Sequence, residues 1–329
     1  MKAAVATRYG GPEVVRVVDV DEPEPAAGEL LVAVHATTVN RTDCGYRGAT
    51  PFFIRAFSGL ARPRTPVLGT EFAGVVESCG PDVTSCAVGD RVFGYCEGTF
   101  GAHAERMTVP ASGHVATIPP GISFREIAPA TEGWHYAMSC IRKAGIRPGA
   151  DVLVHGATGA IGSAAVQILT SMDVHVDAVC GAGQVELVAG LGADRVIDRT
   201  VEDFTESDRT YDVVFDAVGK STFGRCRRLL RPGGSYMVTD LGPWAQNPLL
   251  QLVTRLGRGR RVMMAFPRDD PQMIHEVRSM IEVGTFRPVI DRGFPLARIA
   301  DAYRYVETGQ KIGNVVIDVR TSDDQPGSP

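Results

Sequence analysis

The chain has no Cys-x-x-Cys pair, no long apolar run and no strong excess of charge of either sign. Each absence removes a class of function. Its seven cysteines are odd in number and widely spaced, which suits reduced thiols rather than a disulfide framework. Between Gly94 and Pro110 only Cys96 and His103 stand where a structural zinc lobe needs several closely spaced thiolates, so that pair reads as ordinary packing. No apolar stretch separates Met1 from the charged residues around Arg16 and Asp19, so neither a signal peptide nor a membrane span is expected, and the protein is expected in the cytoplasm. With 34 Lys and Arg against 38 Asp and Glu, the net charge of -4 gives no footprint for nucleic acid. The one basic run, Arg255 to Arg261, has no interleaved aromatics and reads as a solvated loop.

What is present suits two domains, since 329 residues exceed one ordinary core. The first third has short β-like runs punctuated by Gly and Pro, and reads as a mostly β domain. After Pro119-Pro120-Gly121 the pattern changes to apolar strands alternating with helical segments, the spacing of βαβ units and a doubly wound parallel sheet. Strands are expected at 152–155, 174–180, 195–198, 213–216, 235–239 and 261–266. A helix should follow at 271–283, and 286–320 should return to the first domain, making it discontinuous. The expected boundaries are therefore 1–122, 123–285 and 286–320, with an anchorless tail at 321–329.

The most informative segment runs from the strand at 152–155 through Gly156-Ala157-Thr158-Gly159-Ala160-Ile161-Gly162 into an amphipathic helix. A dinucleotide needs its pyrophosphate at a helix N-terminus, where unpaired N–H groups and the helix dipole favour negative charge. Gly156 would make the turn, Gly159 would let phosphate approach, and Gly162 would let the helix pack on the strand. The spacing is Gly-x-x-Gly-x-x-Gly rather than Gly-x-Gly-x-x-Gly, so the strand before it and the strands after it carry the assignment. Beyond the second strand, Cys180 and Gly181 would flank the adenosine ribose. No acid follows them before Glu186, which favours NADPH, yet no Arg or Lys stands in that loop, which leaves NADH open. Asp177 lies too early in the strand and reads as a structural acid.

Gly69-Thr70-Glu71-Phe72-Ala73-Gly74-Val75-Val76-Glu77, followed by Val88-Gly89-Asp90-Arg91-Val92-Phe93-Gly94, resembles the signature of medium-chain dehydrogenase/reductases. Asn40-Arg41-Thr42-Asp43, Ile146-Arg147-Pro148-Gly149, Leu191-Gly192-Ala193-Asp194, Phe215-Asp216-Ala217-Val218-Gly219 and Gly313-Asn314-Val315-Val316-Ile317 are similar to the quinone-oxidoreductase-like members. The resemblance spans nearly the whole chain. It implies an α/β fold with a doubly wound Rossmann domain, a discontinuous GroES-like catalytic domain, and a cleft between them. Zinc-containing relatives place metal ligands where this chain has Asn40 and Thr70, and no thiolate stands in Ala130-Thr131-Glu132-Gly133-Trp134-His135, so no metal is expected.

The resemblance further implies that Asn40 and Thr131 line the nicotinamide end of the cofactor, with Ala217, Val218, Leu241, Gly242 and Phe266 at strand ends beside it and Asn314 reaching back. Tyr46 is the candidate proton donor or substrate-facing hydroxyl. Trp134 and His135 read as packing, and Asp43 and Glu71 as loop braces rather than catalytic groups. The stretch 51–57, Pro-Phe-Phe-Ile-Arg-Ala-Phe, is either a substrate-facing wall or a surface-packed helix. The expected activity is NADPH-dependent, zinc-independent hydride transfer to a quinone or α,β-unsaturated carbonyl compound. Two alternatives stay open, a zinc-free alcohol/aldehyde oxidoreductase and a nucleotide-binding protein of negligible turnover. A homodimer through the last sheet strand is also implied.

Overall fold

The computed structural model describes residues 1–257, 259–265, 267 and 270–320. Phe266 and the tail at 321–329 lie outside the described residues. The chain divides into two compact units.

The first unit contains Met1–Glu132, Asp270–Glu282 and the chain from Pro288 onward. Its first two strands, β1 (Lys2–Val5) and β2 (Arg16–Asp19), form an antiparallel pair. The larger sheet is built on β3 (Glu29–Val39), which pairs with β4 (Glu71–Cys79), and continues through β5 (Arg91–Tyr95) to β7 (His114–Thr117), while β6 (Arg106–Pro110) also pairs β3. Where β3 meets β4 the backbones come so close that a Cβ on Gly74 would lie 2.0 Å from the Ala33 carbonyl oxygen, so only glycine fits there. Leu30, Val32, Val34, Phe72, Val76, Val92 and Met107 form one buried cluster of this unit.

The second unit is Gly133–Asp269 with Val283–Arg287. Its strands are β8 (Asp151–His155), β9 (His175–Cys180), β10 (Arg195–Asp198), β11 (Tyr211–Asp216), β12 (Leu230–Val238) and β13 (Arg261–Met264). All pair in parallel, in the order β10-β9-β8-β11-β12-β13. The sequence-adjacent strands run outward from β8 on one side and from β11 on the other. The order reverses between those two, and open α/β sheets bind ligands beyond the strand ends at such a point. This is the doubly wound Rossmann sheet, and β12 begins five residues before the expected Ser235. Tyr211 pairs Leu230 and Val213 pairs Ser235, so an irregularity absorbs Arg231-Pro232-Gly233-Gly234, which reads in sequence as a turn.

After the second unit the chain returns. The strand β15 (Asn314–Asp318) lies antiparallel to β3, and β14 (Ile290–Pro295) lies parallel to β15. Ile299, Tyr303 and Val306 of the helix Ile299–Glu307 bury against Val39, Val315 and Ile317. The helix Gln272–Glu282 also belongs to the first unit, and so do residues 123–132, whereas the sequence reading placed both in the second. Its Arg278 Nε donates to the Thr117 carbonyl oxygen at the end of β7 (3.0 Å), and Met273, Ile274, Val277 and Ile281 are buried.

Candidate functional site

The strand β8 ends at His155 and the chain turns at Gly156, where φ is +83° and a Cβ would lie 2.4 Å from Val218 Cγ1. Gly156 and Ala157 both donate their N–H to the Val179 carbonyl oxygen, which ties the turn to the end of β9. Thr158 and Gly159 lead into the helix Ala160–Ser171, with Gly159 as an extended N-cap that offers no side-chain acceptor. A Cβ on Gly162 would lie 2.1 Å from the Gly156 carbonyl oxygen, so this first turn, with Ala160 and Ile161, packs on the strand end only because residue 162 has no side chain. Gly159 differs, because a Cβ there would meet nothing closer than 3.6 Å. A side chain there would make only ordinary contacts, and the first amides of a helix lack intrahelical acceptors. This arrangement fits a pyrophosphate.

Across the point where the sheet order reverses, β11 ends at Asp216. This buried carboxylate accepts from Val218 N, Gly219 N, Ser221 N and Tyr236 OH at 2.8–3.2 Å, with His155 Nδ1 at 3.1 Å. Burial opposes its ionisation, but His155 and the converging donors outweigh that and hold its pKa below the ordinary carboxylate value. Asp216 thereby fixes the loop of Ala217 and Val218, a role the sequence reading did not assign. Gly242 follows Leu241 with φ +70°, and a Cβ there would lie 2.5 Å from Asn247 Nδ2, which donates to the Asp240 carbonyl oxygen.

At the end of β9 the buried Cys180 thiol is pushed up by burial, and Gly181 follows. Asp177 is a buried strand acid that accepts from Tyr211 OH (2.7 Å) and Arg209 Nη1 (3.1 Å). Arg199 also stands here. Asp198 pairs Cys180, so the next residue of the neighbouring strand arrives beside Gly181. Its N–H donates to the Cys180 carbonyl oxygen (3.0 Å), and its Nη2 lies 4.0 Å from where a Gly181 Cβ would stand. The Arg199 side chain is exposed.

In the first unit a buried polar network joins the ends of β3 and β4. Asn40 caps the helix Arg41–Gly48 in a capping box, its Oδ1 accepting from Asp43 N while Asp43 Oδ2 accepts from Asn40 N. The other Asp43 oxygen accepts from Gly69 N (3.1 Å), and Asn40 Nδ2 donates to Thr70 Oγ1 (2.7 Å). Glu71 accepts from Thr38 Oγ1 on one oxygen, and from Thr131 N, Thr131 Oγ1 and Glu132 N on the other, at 2.7–3.0 Å. Burial raises the pKa of Asp43 to about 8 and also raises Glu71 and Glu132.

His103 Nε2 lies 2.7 Å from the Thr38 carbonyl oxygen and must donate to it, leaving Nδ1 to accept from Tyr303 OH. Burial drives its pKa down to about 4, so the ring is neutral. Cys96 Sγ points to the carbonyls of Gly69 and Thr70. Trp134 and His135 are buried, and Asn314 gives its Nδ2 to the Val289 carbonyl oxygen within its own unit. Among the described residues no group of three or more His, Cys, Asp or Glu is arranged to hold a metal.

Tyr46 stands apart from this network. Its ring packs edge-on against Phe100, with centroids 4.7 Å apart, and it lines a cavity of about 260 Å³ with Phe57, Ser58, Arg64 and Leu68. Burial first, and the charge of Glu97 second, raise the phenol pKa, so it stays protonated at neutral pH. Residues 51–57 form a 3-10 turn (Phe52–Ile54) and the start of the short helix Arg55–Ser58, and Phe52, Phe53 and Phe57 are exposed.

Comparison with known proteins extends this geometry. The alcohol dehydrogenase GroES-like domain family matches residues 26–120, and the family described as zinc-binding dehydrogenase matches 191–317. The 2-methylene-furan-3-one reductase of Solanum lycopersicum is 30% identical, covering 96% of this chain and 79% of the relative. The mitochondrial NAD(P)H oxidoreductase RTN4IP1 of Homo sapiens is also 30% identical, over 97% of this chain and 89% of its own length. The solved quinone oxidoreductase of Coxiella burnetii superposes with a TM-score of 0.86 at 24% identity, covering 97% of this chain and 99% of that one.

Proposed function

Because the chain belongs to the quinone-oxidoreductase-like branch of the medium-chain dehydrogenase/reductase superfamily and is an NAD(P)-dependent oxidoreductase, we propose that it transfers hydride from NADPH, without a metal, to a quinone or an α,β-unsaturated carbonyl compound. The observation that carries the metal-free reading is the hydrogen bond from Asn40 Nδ2 to Thr70 Oγ1. By the family resemblance these side chains occupy the positions of zinc ligands in zinc-containing relatives, and here they bond each other. An amide N–H and a neutral hydroxyl do not fit zinc, which takes thiolate, imidazole or carboxylate.

The cofactor would be held by the turn Gly156 to Gly162, with its pyrophosphate on the helix N-terminus left open at Gly159. Cys180, Gly181, Ala217, Val218, Leu241 and Gly242 would flank it at the strand ends, and Arg199 would take a 2′-phosphate, which favours NADPH over NADH. When bound, the reduced nicotinamide supplies the hydride, and one further proton completes reduction of the quinone or double bond.

The chain's own groups do the rest. Thr131 gives its hydroxyl proton to Glu71 and keeps only lone pairs, while Asn40 keeps a second amide N–H. Both are proposed at the nicotinamide end, as orienting groups. Tyr46, protonated and facing a cavity, is the proposed donor to the substrate carbonyl oxygen, where negative charge develops.

Anaerobic incubation of the protein with NADPH and a panel of quinones, enones and aldehydes tests this reading. Loss of nicotinamide absorbance with quinones or enones is expected. Turnover of aldehydes alone favours the alcohol/aldehyde alternative, and cofactor binding with no turnover favours the nucleotide-binding one.

Two further parts of the proposal concern the whole chain. Its seven cysteines are free, which suits the cytoplasm, and among the described residues no helix is long and apolar enough to cross a membrane. It is proposed to pair as a homodimer, because β13 ends the sheet and the helix Gln246–Arg255 beside it exposes Leu249, Leu252 and Val253.

A further inference from the structure

We propose that the acceptor carries a carboxylate, which Arg64 holds at the rim of the Tyr46 cavity. This rests on the reductase reading and names the class of substrate within it. The cavity has an apolar wall of Tyr46, Phe57, Leu68 and Phe100 and a polar rim of Ser58 and Arg64. At about 260 Å³ it is smaller than the roughly 300–1,000 Å³ of sites that enclose drug-sized ligands, so it suits one ring or a short chain rather than a polycycle.

Arg64 is held at this rim by its backbone, whose N–H donates to the Ser58 carbonyl oxygen (2.7 Å) and closes the loop 58–64. Its guanidinium is exposed and, among the described residues, has no hydrogen-bond acceptor or carboxylate partner. The neighbouring arginines are different. Arg47 is paired with Glu307, and Arg55 lies over the rings of Tyr9 and Phe52 and donates to the Leu60 carbonyl oxygen.

Local composition points the same way. Residues 48–70 contain Arg55, Arg62 and Arg64 and no Asp or Glu, in a chain whose net charge is -4. Outside that span, the acid whose charge reaches Tyr46 is Glu97; its carboxylate accepts from the Tyr95 hydroxyl and keeps its charge, so Arg64 must outweigh it for an anion to bind. A cavity lined by aromatic and aliphatic side chains, with an uncommitted, planar, five-donor cation beside it, suits an aryl or alkenyl carboxylate, by apolar contact and a forked hydrogen bond.

The test uses a matched pair of acceptors, an aryl enone and the same enone with a para-carboxylate, reduced with NADPH by the wild-type protein, Arg64→Gln and Arg64→Lys. The wild type should prefer the carboxylate by roughly tenfold in kcat/KM, expressed mainly in KM, the size expected of a charge-assisted pair. That ratio should fall to about one in Arg64→Gln and recover in part in Arg64→Lys. An unchanged ratio in Arg64→Gln, or no preference in the wild type, would overturn the proposal. A second measurement needs no turnover: calorimetric titration of a non-reducible aryl carboxylate into the protein saturated with NADP⁺. Weaker binding to Arg64→Gln supports the anion site even if no acceptor is reduced, in which case the reductase reading alone fails. Equal binding to both proteins removes the site.

Discussion

Asp43 couples the stability of the first unit to pH. Burial lifts its carboxyl to about 8, against the pull of two backbone donors, Asn40 N and Gly69 N. In an unfolded chain the same group ionises near pH 4. The folded state therefore binds the extra proton between those values, and this contribution, full below pH 4, is lost as pH rises to about 8. His103 acts with the opposite sign. Its pKa is lowered to about 4, so its contribution is present above the ordinary histidine value near 6.5 and is lost as pH falls towards 4. Above pH 6.5 His103 no longer contributes to the slope, and Asp43, together with Glu71 and Glu132, which the same burial raises, acts with one sign, so the urea midpoint of the wild type should fall from pH 6.5 to 8. Asp43→Asn should flatten the slope, and an unchanged slope would show that Asp43 is not the group responsible.

At the scale of elements, the glycine turn separates a binding role from a packing role within one segment. Gly159→Asp has room for its Cβ but places a negative charge where phosphate is proposed, so cofactor binding should be lost while the thermal midpoint stays near wild type. Gly162→Val forces a side chain into the Gly156 carbonyl, so the midpoint itself should drop. Calorimetry with NADPH and a thermal melt of each variant distinguish the two. Arg199→Ala should raise KM for NADPH roughly tenfold, the size of a charge-assisted phosphate contact, and leave KM for NADH near wild type. Equal changes for both cofactors would remove Arg199 from the 2′-phosphate.

The elements also show what was legible in the sequence. The ladder of parallel strands and the Gly156-to-Gly162 turn could be read because each is a local pattern of apolar residues and glycines. Arg199 could not, because it meets Gly181 only through the register that pairs Asp198 with Cys180, eighteen positions apart. The helix Gln272–Glu282 was visible as a helix at 271–283, but a local helical pattern does not say which unit covers its buried face. Tyr46 was visible, but its cavity was not, because Phe57 reaches it from the short helix Arg55–Ser58, Arg64 and Leu68 from the stretch that follows, and Phe100 from far along the chain.

For the whole molecule, the order β10-β9-β8-β11-β12-β13 leaves β13 at a sheet edge, and the neighbouring helix exposes Leu249 (64%), Leu252 (62%) and Val253 (57%). Such an edge beside apolar surface needs a cover. Sedimentation equilibrium should give twice the 35.2 kDa chain mass, and Leu252→Arg should shift it towards one chain; a wild type that sediments as a monomer would rule out the pairing.

Hydride transfer without a metal is checked by measuring NADPH oxidation with a quinone or enone before and after exhaustive dialysis against a chelator, with metal content determined on the same samples. The predicted result is an unchanged rate at less than stoichiometric zinc, the outcome expected if Asn40 and Thr70 bond each other and not a metal. Stoichiometric zinc whose removal abolishes turnover, and whose return restores it, would show that the enzyme transfers hydride with a metal.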